Sequence, residues 1–216
     1  MIFYKTVIKK TLDEGRLLTM KNILIWGVPR SGKSILANMI RKEFGHSVVQ
    51  LDAIKRVYDV LRPADNIYGP KTTNFDEAKL MAPMLTQLIK CMSWRNDREE
   101  FHVYEGVGFD LKTILSALPK DKFPIPLNRF IVICMGYSEI SPAEKVEQMI
   151  LHDTESDWSF QESNSSKLAH CELYCDESKI IKETAAKLGL KYFDISYDFE
   201  KVLTDIVQYV KKNMSD

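Results

Sequence analysis

An apolar run, Ile23-Leu24-Ile25-Trp26, ends directly on Gly27-Val28-Pro29-Arg30-Ser31-Gly32-Lys33-Ser34. The last two of these residues open a stretch to Phe44 in which Ile35, Leu36, Met39 and Ile40 recur at helical spacing, and Gly45 follows as a helix stop. A strand that turns through glycines straight into an amphipathic helix commits the chain to an α/β architecture, because the helix has to bury its apolar face on the sheet it has just left. The rest of the chain keeps that rhythm. Short apolar runs predict strands at Ile23 to Trp26, Ser47 to Gln50, His102 to Tyr104, Arg129 to Met135 and Lys191 to Ile195. Helices are expected over Lys33 to Phe44, Ala53 to Leu61, Phe75 to Ser93, Leu111 to Ala117, Pro142 to His152, Asp176 to Leu188 and Phe199 to Lys212. The polar segments Arg62 to Asn74 and Asp153 to Ser166 read as loops. The expected fold is therefore a five-stranded parallel sheet with helices on both faces.

The glycine-bounded loop also has a chemistry. Phosphate oxygens need many donors at close range, and backbone N–H groups come close where side chains are absent, as at Gly27 and Gly32. The start of the following helix adds the positive end of its dipole. Gly-x-x-x-x-Gly-Lys-Ser in this strand-to-helix setting is the phosphate loop of nucleotide-binding proteins, with Val28, Pro29, Arg30 and Ser31 completing it. Lys33 would then meet the β- and γ-phosphates of ATP, and the Ser34 hydroxyl would coordinate Mg²⁺.

Composition narrows the partners. With 216 residues the chain can build one substantial core, and its 30 basic and 30 acidic residues leave no net positive field for nucleic acid. The longest apolar stretch, Phe130 to Met135, is too short for a membrane span. Four cysteines in a chain of this size suggest no disulfide framework, and a cytoplasmic setting is expected. His152, His170, Cys171 and Cys175 lack the usual spacing of a zinc site and read as a partly buried helix face. Residues 1–19 show no clear period and form an N-terminal extension of unknown role, with the nucleotide-binding domain running from 20 to 216.

Signatures of other phosphate-loop proteins are missing: there is no Asn-Lys-x-Asp for guanine, no Leu-Ser-Gly-Gly, and no apolar run closing on Asp-Glu. From about Lys21 to Met214 the sequence resembles the adenylate-kinase-like group of P-loop small-molecule kinases. Three features beyond the loop carry the resemblance. Asp52 closes Val48-Val49-Gln50-Leu51-Asp52, just past the second strand, where the carboxyl ends of an open sheet surround a ligand crevice. The resemblance implies that Asp52 accepts the proton of an acceptor hydroxyl or holds magnesium through water, and a helix N-cap is the alternative. Glu105, in Tyr104-Glu105-Gly106-Val107-Gly108, matches the Glu-Gly of several such kinases and would contact the acceptor or organise magnesium, or else be a solvent-facing strand end. Ser196 and Tyr197, after the last strand, would border the adenine, with simple capping of the following helix as the alternative.

By the same resemblance, residues of about 53–93 cover the acceptor and about 138–179 form a small lid. Lys55, Arg56, Arg62 and Lys71 in the first region would suit an anionic small-molecule acceptor, or else are solvated charges on a helix face. The second region departs from the pattern, because it holds no arginine; Lys145 and Lys167 are its substitutes. The reading that follows is an ATP- and Mg²⁺-dependent small-molecule kinase with Lys33, Asp52 and Glu105 as catalytic residues. The alternative is a nucleotide-dependent regulatory protein with slow ATP hydrolysis.

Overall fold

Strand β1 (Asn22–Gly27) is buried at every position, which is what a chain segment covered on both faces requires. The structure, a computed structural model, describes residues 20–66, 74–93, 100–106, 111 and 130–214. Beside β1 lie β3 (His102–Gly106) and β4 (Phe130–Gly136), equally buried, with β2 (Ser47–Gln50) and β5 (Lys191–Asp194) at the edges. All four pairings are parallel and the order is β2-β3-β1-β4-β5. Sequence order reverses direction at β1, so the crevice beyond the carboxyl ends of β1 and β3 is where such a sheet receives a ligand.

Helices cover both faces. Successive β5 residues point opposite ways: Phe193 meets Tyr209 of α6 (Phe199–Met214) edge-on with centroids 5.4 Å apart, and the Tyr192 ring faces Lys182 of α5 (Asn164–Lys187). Helix α1 (Lys33–Phe44) packs on α6 and on β1, β2 and β3. The described residues also include helices α2 (Leu51–Leu61), α3 (Asn74–Ser93) and α4 (Pro142–His152) and a 3₁₀ turn at Pro63–Asp65. Among the described residues no helix is long and apolar enough to cross a membrane.

The helix ends follow local chemistry. Gly45 takes a φ of 82° and donates its N–H to the Arg41 carbonyl at 2.9 Å, closing α1. Ser141 and Glu144 form a reciprocal capping box ahead of Pro142 at the start of α4.

Two sequence expectations need correction. Helix α5 begins at Asn164 rather than Asp176, which shortens the loop to 153–163. Its buried positions include Lys167, Cys171, Cys175, Ser178 and Ala185, which keep helical spacing but supply too little hydrophobicity to reveal it. Helix α2 begins at Leu51, so Asp52 lies inside its first turn and is not the N-cap. Of the expected helix from Leu111 to Ala117 the described residues include Leu111, helical and buried, while the remainder, Lys71, Gly108 and the 1–19 extension lie outside them.

Candidate active site

At the end of β1 the glycine-bounded loop Gly27 to Ser34 is shaped by contacts that allow no side chain at its two glycines. A Cβ on Gly27 would fall 2.4 Å from the Met135 carbonyl oxygen, and one on Gly32 would fall 2.6 Å from the Phe199 ring. Gly32 also takes a φ of 77°, a conformation that costs an L side chain roughly 1–2 kcal/mol. It is the N-cap of α1 and provides no side-chain hydrogen bond, so the first amides of that helix are left to another acceptor.

Lys33 is buried, and its Nζ donates to the Val28 carbonyl at 2.7 Å. Burial pulls its pKa down to about 8, against the upward pull of Asp52 and Glu105. A desolvated ammonium beside an uncapped helix start is a cation in need of an anion. Ser31 is fully buried and its Oγ has no hydrogen-bond partner among the described residues. One face of the loop is therefore under-satisfied in the way a bound triphosphate would complete.

Two acids approach this loop. Ser34 Oγ donates to Glu105 Oε1 at 3.1 Å, joining the first turn of α1 to the end of β3. Glu105 pairs in register with Ile25 of β1 and Gln50 of β2 and is 3 % exposed, so it is not the solvent-facing strand end that the sequence left open. Burial raises its pKa while Lys33 and Ser34 pull it back. Asp52 overhangs the same strand end: a Cβ on Gly106 would lie 3.1 Å from Asp52 Oδ1, so glycine there gives room to the start of α2. About half of the Asp52 side chain remains exposed. The structure thus brings Lys33, Ser34, Asp52 and Glu105 to one crevice. The hydroxyl and carboxylate oxygens of Ser34 and Glu105 are hard donors of the kind Mg²⁺ takes.

Behind Asp52 lies a pair that sequence reasoning missed. Lys55 Nζ sits 2.5 Å from Glu77 Oε1 of α3 and 3.5 Å from Asp52 Oδ1, and both Lys55 and Glu77 are buried. Burial raises the Glu77 pKa, opposed by Lys55. Arg62, 3.5 Å from Asp65, is also matched by an acid. Much of the positive charge expected to meet an acceptor is therefore locally balanced.

The region expected to form a lid consists of α4, the loop 153–163 and the first part of α5. The Arg30 guanidinium reaches it from the glycine-bounded loop and donates to Asp153 and Asp157. Tyr137, just past β4, donates its hydroxyl to the Pro29 carbonyl at 2.9 Å. Lys167 lies 3.4 Å from Asp153 Oδ2. Lys145 Nζ is 4.3 Å from the Tyr137 ring centroid and donates to Gln148 at 3.3 Å, with its pKa pulled down to about 8 by burial. Trp158 rests edge-on against His170, which stacks on Tyr174. Cys171 and Cys175 are buried and their Sγ atoms donate to Met149 and the Ile140 carbonyl.

Beyond β5, Ser196 is occupied: its Oγ accepts from the Glu139 N–H at 3.0 Å and its carbonyl accepts from Gln148. Tyr197 is exposed, with its hydroxyl 3.5 Å from the Glu139 carbonyl.

No protein-family model and no curated protein sequence matches the chain. Among solved structures it resembles a gluconokinase from Sinorhizobium meliloti 1021, with a TM-score of 0.53 at 14 % identity over 92 % of this chain and 93 % of that one. It also resembles a sugar kinase from Janibacter sp. HTCC2649, with a TM-score of 0.50 at 19 % identity over 89 % of this chain and 95 % of that one. At such identities the likeness is one of fold: a five-stranded parallel sheet with helices around it.

Proposed function

We propose that the chain is an ATP-dependent kinase that transfers the γ-phosphoryl group to a hydroxyl or phosphate of a small molecule. The observation that carries this is Lys33: a buried ammonium bonded to a carbonyl, beside an uncapped helix start, with Asp52 and Glu105 acting on it from the same crevice. Two solved structures of this fold are described as kinases of gluconate and of sugars, which supports the reaction class and leaves the acceptor of this chain open.

The backbone of Gly27 to Ser34 would bind the phosphates, and Lys33 would neutralise charge that grows on the β–γ bridging oxygen as that bond breaks. Asp52 would take the acceptor hydroxyl proton as its oxygen bonds to phosphorus, leaving ADP and the phosphorylated acceptor. Ser34 and Glu105 would hold Mg²⁺, directly or through water. When bound, the ion shields the phosphate oxygens and fixes their orientation.

ADP release with Mg-ATP, measured across sugars, sugar acids, nucleosides, nucleotides and aminoglycosides with Lys33→Ala as the blank, tests the reading. Stimulation by one compound is expected. Tight ATP binding with no stimulation by any compound, and a response to a protein partner instead, would replace it with the regulatory reading that the arginine-free segment 138–179 favours.

A further inference from the structure

In the phosphate loop, Arg30 combines two features that pull against each other. Its φ is 57°, in the left-handed region that favours glycine, although it carries a long side chain. Its guanidinium leaves the loop and is gripped by two carboxylates from the loop after α4. The grip is built symmetrically. Asp153 gives Oδ1 to Arg30, while its Oδ2 accepts from Ser159 at 2.8 Å and faces Lys167 at 3.4 Å. Asp157 gives Oδ1 to Arg30, while its Oδ2 accepts both the Thr154 N–H and hydroxyl at 2.9 Å. The Asp157 carboxyl is held below its usual pKa first by the Thr154 amide, despite some burial, and further by Arg30. Each aspartate therefore spends one oxygen on the arginine and fixes the other to its own segment. Asp153 is 2 % exposed, and Ser159 and Lys167 are buried, so this anchor sits in packed protein.

We propose that Asp153 and Asp157 are positioning residues for the phosphate loop: by clamping the Arg30 side chain they hold its backbone in the left-handed turn that aims the loop's amides at the nucleotide. The proposal rests on the reading of that loop as a nucleotide site. A planar, doubly donating guanidinium suits the task because two fixed acceptors define its orientation as well as its position, which a lysine ammonium could not supply. The neighbouring bond from Tyr137 to the Pro29 carbonyl secures the other end of the same turn. The arginine missing from the segment 138–179 thus has a counterpart with the polarity exchanged: the loop carries the cation and the segment carries the acids.

Glycine provides the test, because it adopts this φ without a clamp. Mg-ATP affinity is measured by titration calorimetry for the wild type, Asp157→Asn, Arg30→Gly and the double variant. Asp157→Asn is expected to weaken binding about tenfold, the scale set by the strain of a left-handed non-glycine residue. In the Arg30→Gly background the same substitution is expected to change affinity less than twofold, since a glycine loop needs no anchor. Asp153→Asn is a second, more buried probe with the same expected pattern, and Asp157 remains decisive if that variant fails to fold. Equal losses in both backgrounds, or no loss in the wild-type background, would overturn the proposal while leaving nucleotide binding intact. A wild-type chain that binds no Mg-ATP would overturn the nucleotide reading and this proposal with it.

Discussion

Lys33 keeps its charge at a cost that its surroundings only partly offset. The unfolded chain holds that proton up to about 10.5 and the folded, nucleotide-free protein up to about 8, so below pH 8 the folded state carries a penalty of about 3 kcal/mol, which fades as pH rises toward 10.5. Lys33→Met is therefore expected to stabilise the nucleotide-free protein at pH 7 by about 1–3 kcal/mol, and to remove part of the wild type's gain in stability between pH 8 and 10.5. Lys145, also near 8, acts in the same sense, while the buried thiols of Cys134 and Cys171, raised to about 12 and about 11, oppose it above about pH 9. Urea unfolding at pH 7 and pH 9 reads both effects, and a Lys33→Met protein less stable than wild type at pH 7 would contradict them. Asp52 makes the complementary case: half exposed and outside the glycine loop, its conversion to Asn is expected to leave Mg-ATP affinity within about twofold while lowering turnover by about 100-fold or more. Affinity and turnover measured together decide it. The turn from Gly27 to Ser34 between β1 and α1 was legible in the sequence, because its glycines punctuate an apolar run and a helical period. Asp153, Asp157 and Glu77 were not, because an acid declares its role only through the cation that folding brings to it, and Arg30 lies more than a hundred positions from its partners.

The elements around the loop show the same division. Strands β1 and β4 and helix α1 were evident from apolar run or period, whereas the first half of α5 hid behind serines, cysteines and a lysine at its buried positions. The contact between α1 and α6 also had no local sign: Phe199 opens α6 and lies against Gly32, so the last helix braces the first helix's N-terminus. A Gly32→Ala variant meets both the positive φ and that ring, and is expected to lose about 2 kcal/mol of stability or more. Adding Phe199→Ala should remove the steric part of the loss, so that the double variant is destabilised by less than the sum of the two single ones. Chemical denaturation of the three variants distinguishes this from additivity.

For the molecule as a whole, the parallel order β2-β3-β1-β4-β5 gathers loop, acids and the clamp at one end of the sheet, so a ligand there ties together the termini of several elements at once. At a Mg-ATP concentration about 100 times Kd, linkage predicts nearly 3 kcal/mol of added stability, read as a rise of about 5–10 °C in melting temperature for a chain of this size. Lys33→Ala should show no such rise, and an equal rise in that variant would place the nucleotide elsewhere. The overall architecture could be anticipated because periodicity reports burial, which is a property of whole elements; which helix end meets which loop could not, because that is decided by packing between distant segments. Cys134, Cys171 and Cys175 are buried with their pKa values raised by burial, the first two to about 12 and about 11, while Cys91 lies exposed near the end of α3. The native chain therefore offers a single handle for thiol-directed dyes, set on the helix that carries Glu77, and a dye placed there reports by fluorescence whether that helix moves when a candidate ligand is added, without engineering any cysteine.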